Sequence, residues 1–80
     1  MSSYSLSKKA RRIVGNRIKL AREKAGFTRT QLAKKCKIGA SQISNYENGF
    51  CTPSFAVALR LIDALGAEVF LKGEEGKDAA

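Results

Sequence analysis

The sequence predicts an all-α fold of four to five compactly packed helices followed by one short C-terminal β-strand. Apolar residues recur with a helical period along four segments, and glycine or proline separates each segment from the next. The last apolar segment alternates with period two instead, which is typical of a strand. The 80 residues have room for one domain, because two cores would each be too small to offset chain entropy.

The N-terminal part predicts a flexible arm over residues 1–12 and then the first helix. Residues 1–7 are polar without a period, and Lys8 to Arg12 form a basic cluster. From Ile13 onward apolar residues recur at helical spacing, and Gly26 supplies a stop.

A capping box predicts the start of the second helix. The Thr28 hydroxyl can accept a hydrogen bond from the Gln31 amide, while the Gln31 side chain can reach back to the Thr28 amide. The second helix therefore runs from Arg29 to Lys35 or Cys36.

A tight turn and a third helix follow. The segment Lys37 to Gly39 is too short for anything but a turn, and its last residue suits an N-cap. The third helix, Ala40 to Glu47, is predicted to bury Ile43 and Tyr46. It ends at Asn48-Gly49, since glycine adopts a left-handed backbone without strain.

Thr52 and Pro53 predict the cap and the first turn of a fourth helix that ends at Leu65. Its predicted apolar face consists of Phe55, Ala58, Leu59, Ile62 and Leu65. The alternation over residues 67–72 predicts the short strand, whose edges would be unpaired in a single chain. Residues 73–80 are predicted to be a polar, disordered tail.

Positive charge is concentrated in the N-terminal half. Residues 1–37 contain twelve Lys or Arg and one acid, whereas residues 38–80 contain three bases and six acids. The halves therefore carry +11 and −3, which together give the formal net charge of +8. A field this uneven favours a polyanion as partner, and DNA or RNA is the commonest polyanion in a cell. A solubilising surface is the alternative, although mixed signs would serve that purpose as well.

Composition argues against several other classes of protein. No apolar run approaches the roughly 20 residues that cross a bilayer, and the N-terminus is not signal-peptide-like, so a soluble, cytoplasmic location is predicted. The sequence has no histidine and no nucleophile with a visible base, so an enzyme is not expected. Cys36 and Cys51 have no metal-ligand spacing and are predicted to be small buried hydrophobes, so neither a metal nor a cofactor is expected.

The segment Thr28 to Gly49, TRTQLAKKCKIGASQISNYENG, resembles the helix-turn-helix of the Cro and phage-repressor superfamily (Cro/C1-type, XRE). The resemblance implies a lambda-repressor-like DNA-binding domain over residues 13–66, with double-stranded operator DNA as its partner. It also implies a semi-buried structural ion pair between Arg22 and Glu47. The turn glycine of the family falls on Lys37, which must accept a left-handed backbone or shift the turn by one residue.

The resemblance further implies which side chains meet the bases. A major groove about 12 Å wide admits one α-helix, and the residues near the N-terminus of that helix reach the base edges. The implied base-reading residues are Ala40, Ser41, Gln42 and Asn45, with Ser44 at the edge. Gln42 and Asn45 can each bond adenine through two atoms, and Ala40 can pack on a thymine methyl group. The alternative is that these are solvated residues on an exposed face.

Phosphate contacts are expected at both ends of the motif. The free amides at the start of the second helix favour an anion near Thr28 and Arg29, and Asn48 corresponds to a second backbone anchor of the family. The further candidates are Arg17, Lys34 and Lys37. Solvated side chains are equally compatible with the positions of these three. The arm from Lys8 to Arg12 either follows the DNA backbone or enters the minor groove, or it is a disordered tail that raises non-specific affinity.

The C-terminal strand is the predicted dimerisation element, because members of the superfamily usually bind two half-sites as two-fold dimers. Pairing the strand with its copy in a second chain would give hydrogen-bond partners to the backbone groups on the facing edges of both strands. The candidate interface residues are Leu65, Val69, Phe70 and Leu71. This ending resembles HipB-type antitoxins. The alternative is a tail that folds back on its own domain.

Two compatible functions follow from these expectations. One is a sequence-specific transcriptional regulator, a repressor that binds a palindromic operator as a homodimer. The other is an antitoxin that neutralises a co-encoded toxin protein and uses DNA binding to regulate its own operon.

Overall fold

The computed structural model describes residues 7–70, which form four α-helices and one 3-10 helix. They are α1 (Lys8–Ala25), α2 (Arg29–Cys36), α3 (Ala40–Glu47), α4 (Phe55–Leu65) and the 3-10 helix η1 (Ala67–Phe70). Helix α3 packs against α1 and α2, whereas α4 packs mainly against α2 and η1. The all-α prediction is therefore confirmed over this range, and none of the helices in it is long and apolar enough to span a bilayer.

Helix α1 begins earlier than the apolar period predicted. Ser7 caps the helix, because its Oγ accepts a hydrogen bond from the Ala10 amide at 3.1 Å. The basic cluster Lys8 to Arg12 therefore lies within the helix, and the prediction of a flexible arm is wrong for these residues. The error arose because the first turn carries mostly charged residues, so that the cap and not the apolar period marks the boundary. Residues 1–6 of the predicted arm lie outside the described residues.

Helices α2 and α3 have the predicted bounds and are joined by a tight turn. The capping box is present: the Thr28 Oγ1 accepts from the Gln31 amide at 3.0 Å, and the Gln31 Oε1 accepts from the Thr28 amide at 2.8 Å. Lys37 ends α2 with φ 60 and ψ 43, so it accepts the left-handed backbone and the turn is not shifted. Gly39 precedes α3 in an extended conformation without a side-chain cap.

Helix α4 begins at Phe55, later than the predicted start at Pro53. The residue that caps it is Ser54 and not Thr52, because the Ser54 Oγ accepts from the Val57 amide at 3.2 Å. The proline therefore precedes the helix and does not form its first turn.

The buried face of α4 also differs from the predicted one. Leu61 is fully buried, whereas Phe55 and Leu59 are 79% and 50% exposed, so the predicted apolar face is wrong for the latter two. The helix is apolar on nearly every side, with one arginine and one aspartate among its 11 residues, so periodicity alone could not choose the face. Ile62 and Leu65 do pack against the core as predicted.

The segment after α4 forms η1 where a strand was predicted, so the strand prediction is wrong for residues 67–70. Gly66 turns the chain with φ 100, and the Val69 amide donates to the Gly66 carbonyl at 3.2 Å. The turn pairs backbone groups that a lone strand would leave unpaired, and it buries Val69, which is 2% exposed.

The predicted dimerisation residues are therefore corrected in part. Val69 covers the domain's own core, as the alternative of a folded-back tail required, and its predicted place in a dimer ribbon is wrong. Leu65 and Phe70 are half-buried against the same core. Leu71 and all later residues of the predicted strand and tail lie outside the described residues.

The core lies where the helices meet. Its buried apolar members are Ile18, Leu32, Ala33, Cys36, Ile43, Tyr46, Leu61 and Val69. Gly15 brings α1 into close contact with the C-terminal turn of α3, since an added Cβ would lie 2.1 Å from the Tyr46 carbonyl oxygen. The two helices can approach this closely because position 15 has no side chain.

The two cysteines are free thiols in different environments. Cys36 is fully buried in the core, as predicted for a small hydrophobe, and this burial raises the pKa of its thiol. Cys51 is half-buried. Over residues 7–70 neither thiol belongs to a cluster that could hold a metal ion.

Candidate nucleic-acid interface

Helix α3 turns its apolar side chains to the core and its polar side chains outward. Ile43 is fully buried and Tyr46 is 2% exposed, so these two residues hold the inner face of the helix. The side chains predicted to read bases share the remaining surface. Ser41 and Gln42 are exposed, and Ala40, Ser44 and Asn45 are half-buried. The outer face of α3 thus offers hydroxyl and amide groups, which both donate and accept hydrogen bonds.

Two of the predicted DNA-contacting side chains are already held by a neighbour one helical turn away. The Gln42 Nε2 donates to the Tyr46 Oη at 3.1 Å. The Asn48 Nδ2 donates to the Ser44 Oγ at 3.3 Å. Both pairs have the i, i+4 spacing that brings helical side chains together. These amides are therefore oriented within the domain itself.

The last residue of α3 is a buried carboxylate. The Glu47 side chain has no exposed surface, and its Oε2 accepts from the Arg22 Nε at 2.6 Å. A second bond joins the Arg22 Nη2 to the Glu47 Oε1 at 3.2 Å. The hydrogen bonds to Glu47 raise the pKa of Arg22, while burial of the guanidinium acts in the opposite direction. The ion pair predicted between these two residues is present.

A second arginine binds the same carboxylate. The Arg29 Nε donates to the Glu47 Oε1 at 3.0 Å, and the Arg29 side chain is 43% exposed. Glu47 thereby ties α3 to both α1 and α2. Sequence reasoning assigned Arg29 to phosphate and missed this contact. A carboxylate can accept more hydrogen bonds than one guanidinium donates to it. This spare capacity of Glu47 is the signal that could have indicated a second donor.

The turn after α3 is fastened to the first turns of α1. The Arg11 Nε donates to the Gly49 carbonyl at 3.0 Å. Gly49 has φ 78, and a Cβ added to it would lie 2.9 Å from the Arg12 Cγ. Part of the basic cluster therefore supports the motif. No sequence pattern indicated this contact, because hydrophobic periodicity contains no information about a hydrogen bond to a distant carbonyl.

Comparison with known proteins agrees with this geometry. The sequence model of a family described as a helix-turn-helix domain matches residues 13–70. The chain belongs to this helix-turn-helix family. The HTH-type transcriptional regulator ImmR of Bacillus subtilis (strain 168) is 42% identical over 48 residues, which are 60% of this chain and 38% of ImmR. The match thus spans well under two thirds of that relative, and no solved structure matches the chain.

Membership in the helix-turn-helix family confirms the resemblance to Cro/C1-type regulators. The second helix of such a motif lies in the major groove, and α3 is the second helix of the motif in this chain. The expectation that the chain is not an enzyme agrees with a family of DNA-binding domains. The comparisons do not support the HipB-type ending.

The side chains predicted to contact phosphate are mostly exposed in the helix-turn-helix domain. Thr28, Arg29, Lys34, Lys37 and Asn48 are exposed, and Arg17 is half-buried. Thr28 and Arg29 adjoin each other at the start of α2, where the first amides of a helix have no intrahelical acceptor. Arg17 already interacts within the domain.

Proposed function

We propose that the chain is a sequence-specific transcriptional regulator that represses transcription by binding a palindromic operator as a homodimer. The observation that carries the proposal is the polar outer face of α3, anchored by Ile43, Tyr46 and Glu47 in a helix-turn-helix domain. The formal net charge of +8 supports DNA as the partner. The name of ImmR, a transcriptional regulator, supports regulation as the purpose of binding. This function requires a cytoplasmic location with access to DNA.

Base recognition is proposed for the outer face of α3. Gln42 and Asn45 can each donate to and accept from one adenine, and each good pair contributes about 1–3 kcal/mol of discrimination. Ser41 can bond several bases through its exposed hydroxyl, and the Ala40 methyl group can contact a thymine methyl group. Ser44 lies at the edge, where Asn48 holds its hydroxyl.

Phosphate binding is proposed for the N-terminus of α2 and for polar and basic side chains around the motif. The capping box occupies the Thr28 and Gln31 amides, and the helix dipole together with the Arg29 and Thr30 amides between them favours an anion there. Arg29 can serve this purpose while its Nε holds Glu47, because a guanidinium has five N–H donors and this side chain is 43% exposed. The remaining proposed clamps are Arg17, Lys34, Lys37 and Asn48.

A second copy of the chain is the proposed partner for the outer face of α4. Phe55 and Leu59 lie one helical turn apart and are 79% and 50% exposed, so the core formed by residues 7–70 leaves them uncovered. Burying them against their copies would contribute about 25 cal/mol per Å² of apolar surface removed from water. Because α4 packs mainly on α2 and η1, a contact there leaves the outer face of α3 free for DNA. The half-buried Leu65 and Phe70 are candidates for the edge of this interface.

The antitoxin hypothesis stays a prediction. It depended on a C-terminal strand, but residues 67–70 form the 3-10 helix η1. This helix does not support the hypothesis. Copurification of a second, co-encoded protein would favour it.

Selection of binding sites from a random duplex library tests the proposed function. We expect enrichment of a palindrome whose half-sites lie about one helical turn apart, roughly 34–36 Å. The affinity for the selected site should fall steeply as salt rises, since several phosphates are neutralised by Lys and Arg. The proposal is contradicted by a library that yields no preferred sequence, or by an affinity that does not change with salt.

A further inference from the structure

Tyr46 combines a buried ring with a hydroxyl that reaches an exposed side chain. The residue is 2% exposed and belongs to the core, and its carbonyl lies against Gly15 so closely that no Cβ would fit between them. Tyr46 therefore has little freedom to move. Gln42 lies one turn earlier in α3, is exposed, and donates from its Nε2 to the Tyr46 Oη at 3.1 Å. The bond fastens a long surface side chain to a fixed point in the core.

The bond leaves free the groups that recognise adenine. A glutamine amide has two N–H donors and one carbonyl oxygen. Tyr46 occupies one of these N–H donors, so the second N–H and the Oε1 of Gln42 stay available. A glutamine uses these two groups to bond N7 and N6 of adenine. The tyrosine hydroxyl can therefore orient the amide without competing with the base.

We infer that Tyr46 is a positioning residue for base recognition, because its hydroxyl holds the Gln42 amide in the orientation that a base edge requires. The inference rests on the proposed function, since it presupposes that Gln42 contacts a base. Glutamine loses much rotamer freedom when it is ordered, and a side chain ordered before binding loses less of it on DNA. A fixed amide plane also favours one donor and acceptor pattern over the others, so the hydroxyl acts on base preference.

The test compares Tyr46→Phe, which removes only the hydroxyl, with Gln42→Ala and with the double variant. Affinities are measured by fluorescence anisotropy on the selected duplex and on duplexes changed at one base pair each. Tyr46→Phe should reduce the preference at the base pair that Gln42→Ala affects by about 2- to 10-fold, the range of one hydrogen bond. Preferences at the other base pairs and the affinity for random-sequence DNA should not change. In the Gln42→Ala background, Tyr46→Phe should have no further effect.

A measurement on the free protein checks the orientation without DNA. The chain contains two glutamines, Gln31 and Gln42, so their side-chain amide signals can be followed separately by NMR. Tyr46→Phe should lower the order parameter of the Gln42 amide. The Gln31 amide is the matched control, because the capping bond to Thr28 holds it in both proteins.

The outcomes distinguish this inference from the proposed function. If the wild-type protein selects no sequence, the proposed function fails and the inference fails with it. If Gln42→Ala loses preference at one base pair while Tyr46→Phe keeps it, the inference is overturned and the proposed function stands. An equal loss of preference at every position also overturns it, since the hydroxyl would then act through stability alone. The inference is also overturned if the side-chain amide of Gln42 in the wild-type protein is as mobile as an unrestrained side chain. This measurement does not depend on the folding of any variant.

Discussion

The Arg29 Nε lies 3.0 Å from the Glu47 Oε1, on the same carboxylate that Arg22 binds through two nitrogens. The first turn of α2 and the last turn of α3 are thereby joined through one buried acid. Because α3 carries the proposed base-reading residues, its position relative to α1 and α2 depends on this carboxylate. Arg29, which is proposed to bind phosphate, therefore also helps to hold α3 in place.

Glu47→Gln should lower the free energy of unfolding by about 3 kcal/mol, because it leaves the Arg22 guanidinium buried without its counter-charge. The Arg22 side chain is 11% exposed, so water compensates little for the loss. Urea unfolding followed by circular dichroism measures the effect. The matched control is Glu23→Gln, since Glu23 is 52% exposed and 3.9 Å from Arg22, and it should change stability by about 0.5 kcal/mol or less. Equal effects of the two variants would contradict the structure.

Gly15→Ala should lower the free energy of unfolding by about 2 kcal/mol or more, although alanine favours helix. The added Cβ would lie 2.1 Å from the Tyr46 carbonyl oxygen and 2.9 Å from that of Glu47, so backbone must shift. Thermal unfolding provides the measurement. Gly39→Ala serves as the control, because the nearest atom to its Cβ, the Ser41 Oγ, lies 3.8 Å away. A Gly15→Ala protein as stable as the Gly39→Ala protein would refute the close approach of α1 to α3.

Lys37→Gly should raise the free energy of unfolding by about 1 kcal/mol. Lys37 has φ 60, and a non-glycine residue in this left-handed region is strained by about 1–2 kcal/mol. Glycine removes this strain, but its greater freedom in the unfolded chain offsets part of the gain. Lys34→Gly, in the last turn of α2 where the backbone is still helical, should instead lower stability by about 0.5–1 kcal/mol. Both variants remove one lysine, so a change in the free energy of unfolding that is opposite in sign reports the backbone conformation and not the loss of charge. If both variants were destabilised, the turn geometry would be wrong.

Asn45→Ala should relax the preference at one base pair of the selected site, because a base-reading amide distinguishes bases by about 1–3 kcal/mol. Lys34→Ala should weaken binding to every sequence alike and reduce the salt dependence by about one phosphate contact. Titrations of both variants at several salt concentrations separate these effects. Arg29→Ala is less suitable for this comparison, because it also removes a bond to Glu47. The assignment of α3 as the reading helix fails if Asn45→Ala and Lys34→Ala behave identically.

Phe55→Glu and Leu59→Glu should each convert a dimer to a monomer, because they place a charge in the proposed interface on α4. Analytical ultracentrifugation measures the state of association. Leu20→Glu is a suitable control, since Leu20 is also large and apolar and is 54% exposed, but lies on α1. All three variants should keep the wild-type circular dichroism spectrum, because the wild-type side chains are at least half exposed. A dimer that persists in both α4 variants would place the interface elsewhere.

Local signals explain why the bounds of α2 and α3 could be predicted to within one residue. The capping box of Thr28 and Gln31 and the short turn from Lys37 to Gly39 act over a few residues, so the chain segment itself determines them. The ion pair of Arg22 and Glu47 came from the family resemblance and not from a local pattern.

The predicted starts of α1 and α4 were wrong because of local caps at Ser7 and Ser54, whereas the other errors lie where distant parts of the chain determine the structure. Helix α4 could have buried either of two apolar faces, and packing against its neighbours selected the Leu61 side over the Phe55 side. The period-two alternation after Gly66 indicated a strand, but burial of Val69 in the core produced a 3-10 turn. The bond from Arg11 to Gly49 joins residues far apart in sequence, and no local pattern records it.

Helix α3 has eight residues, and isolated helices shorter than about 12–15 residues are marginal in water. A synthetic peptide of residues 40–47 would therefore be mostly unstructured, because it lacks the core contacts that hold Ile43 and Tyr46 in the domain. The proposed base reading depends on the intact domain, so an amino-acid change far from the DNA would lower binding in proportion to the molecules it unfolds.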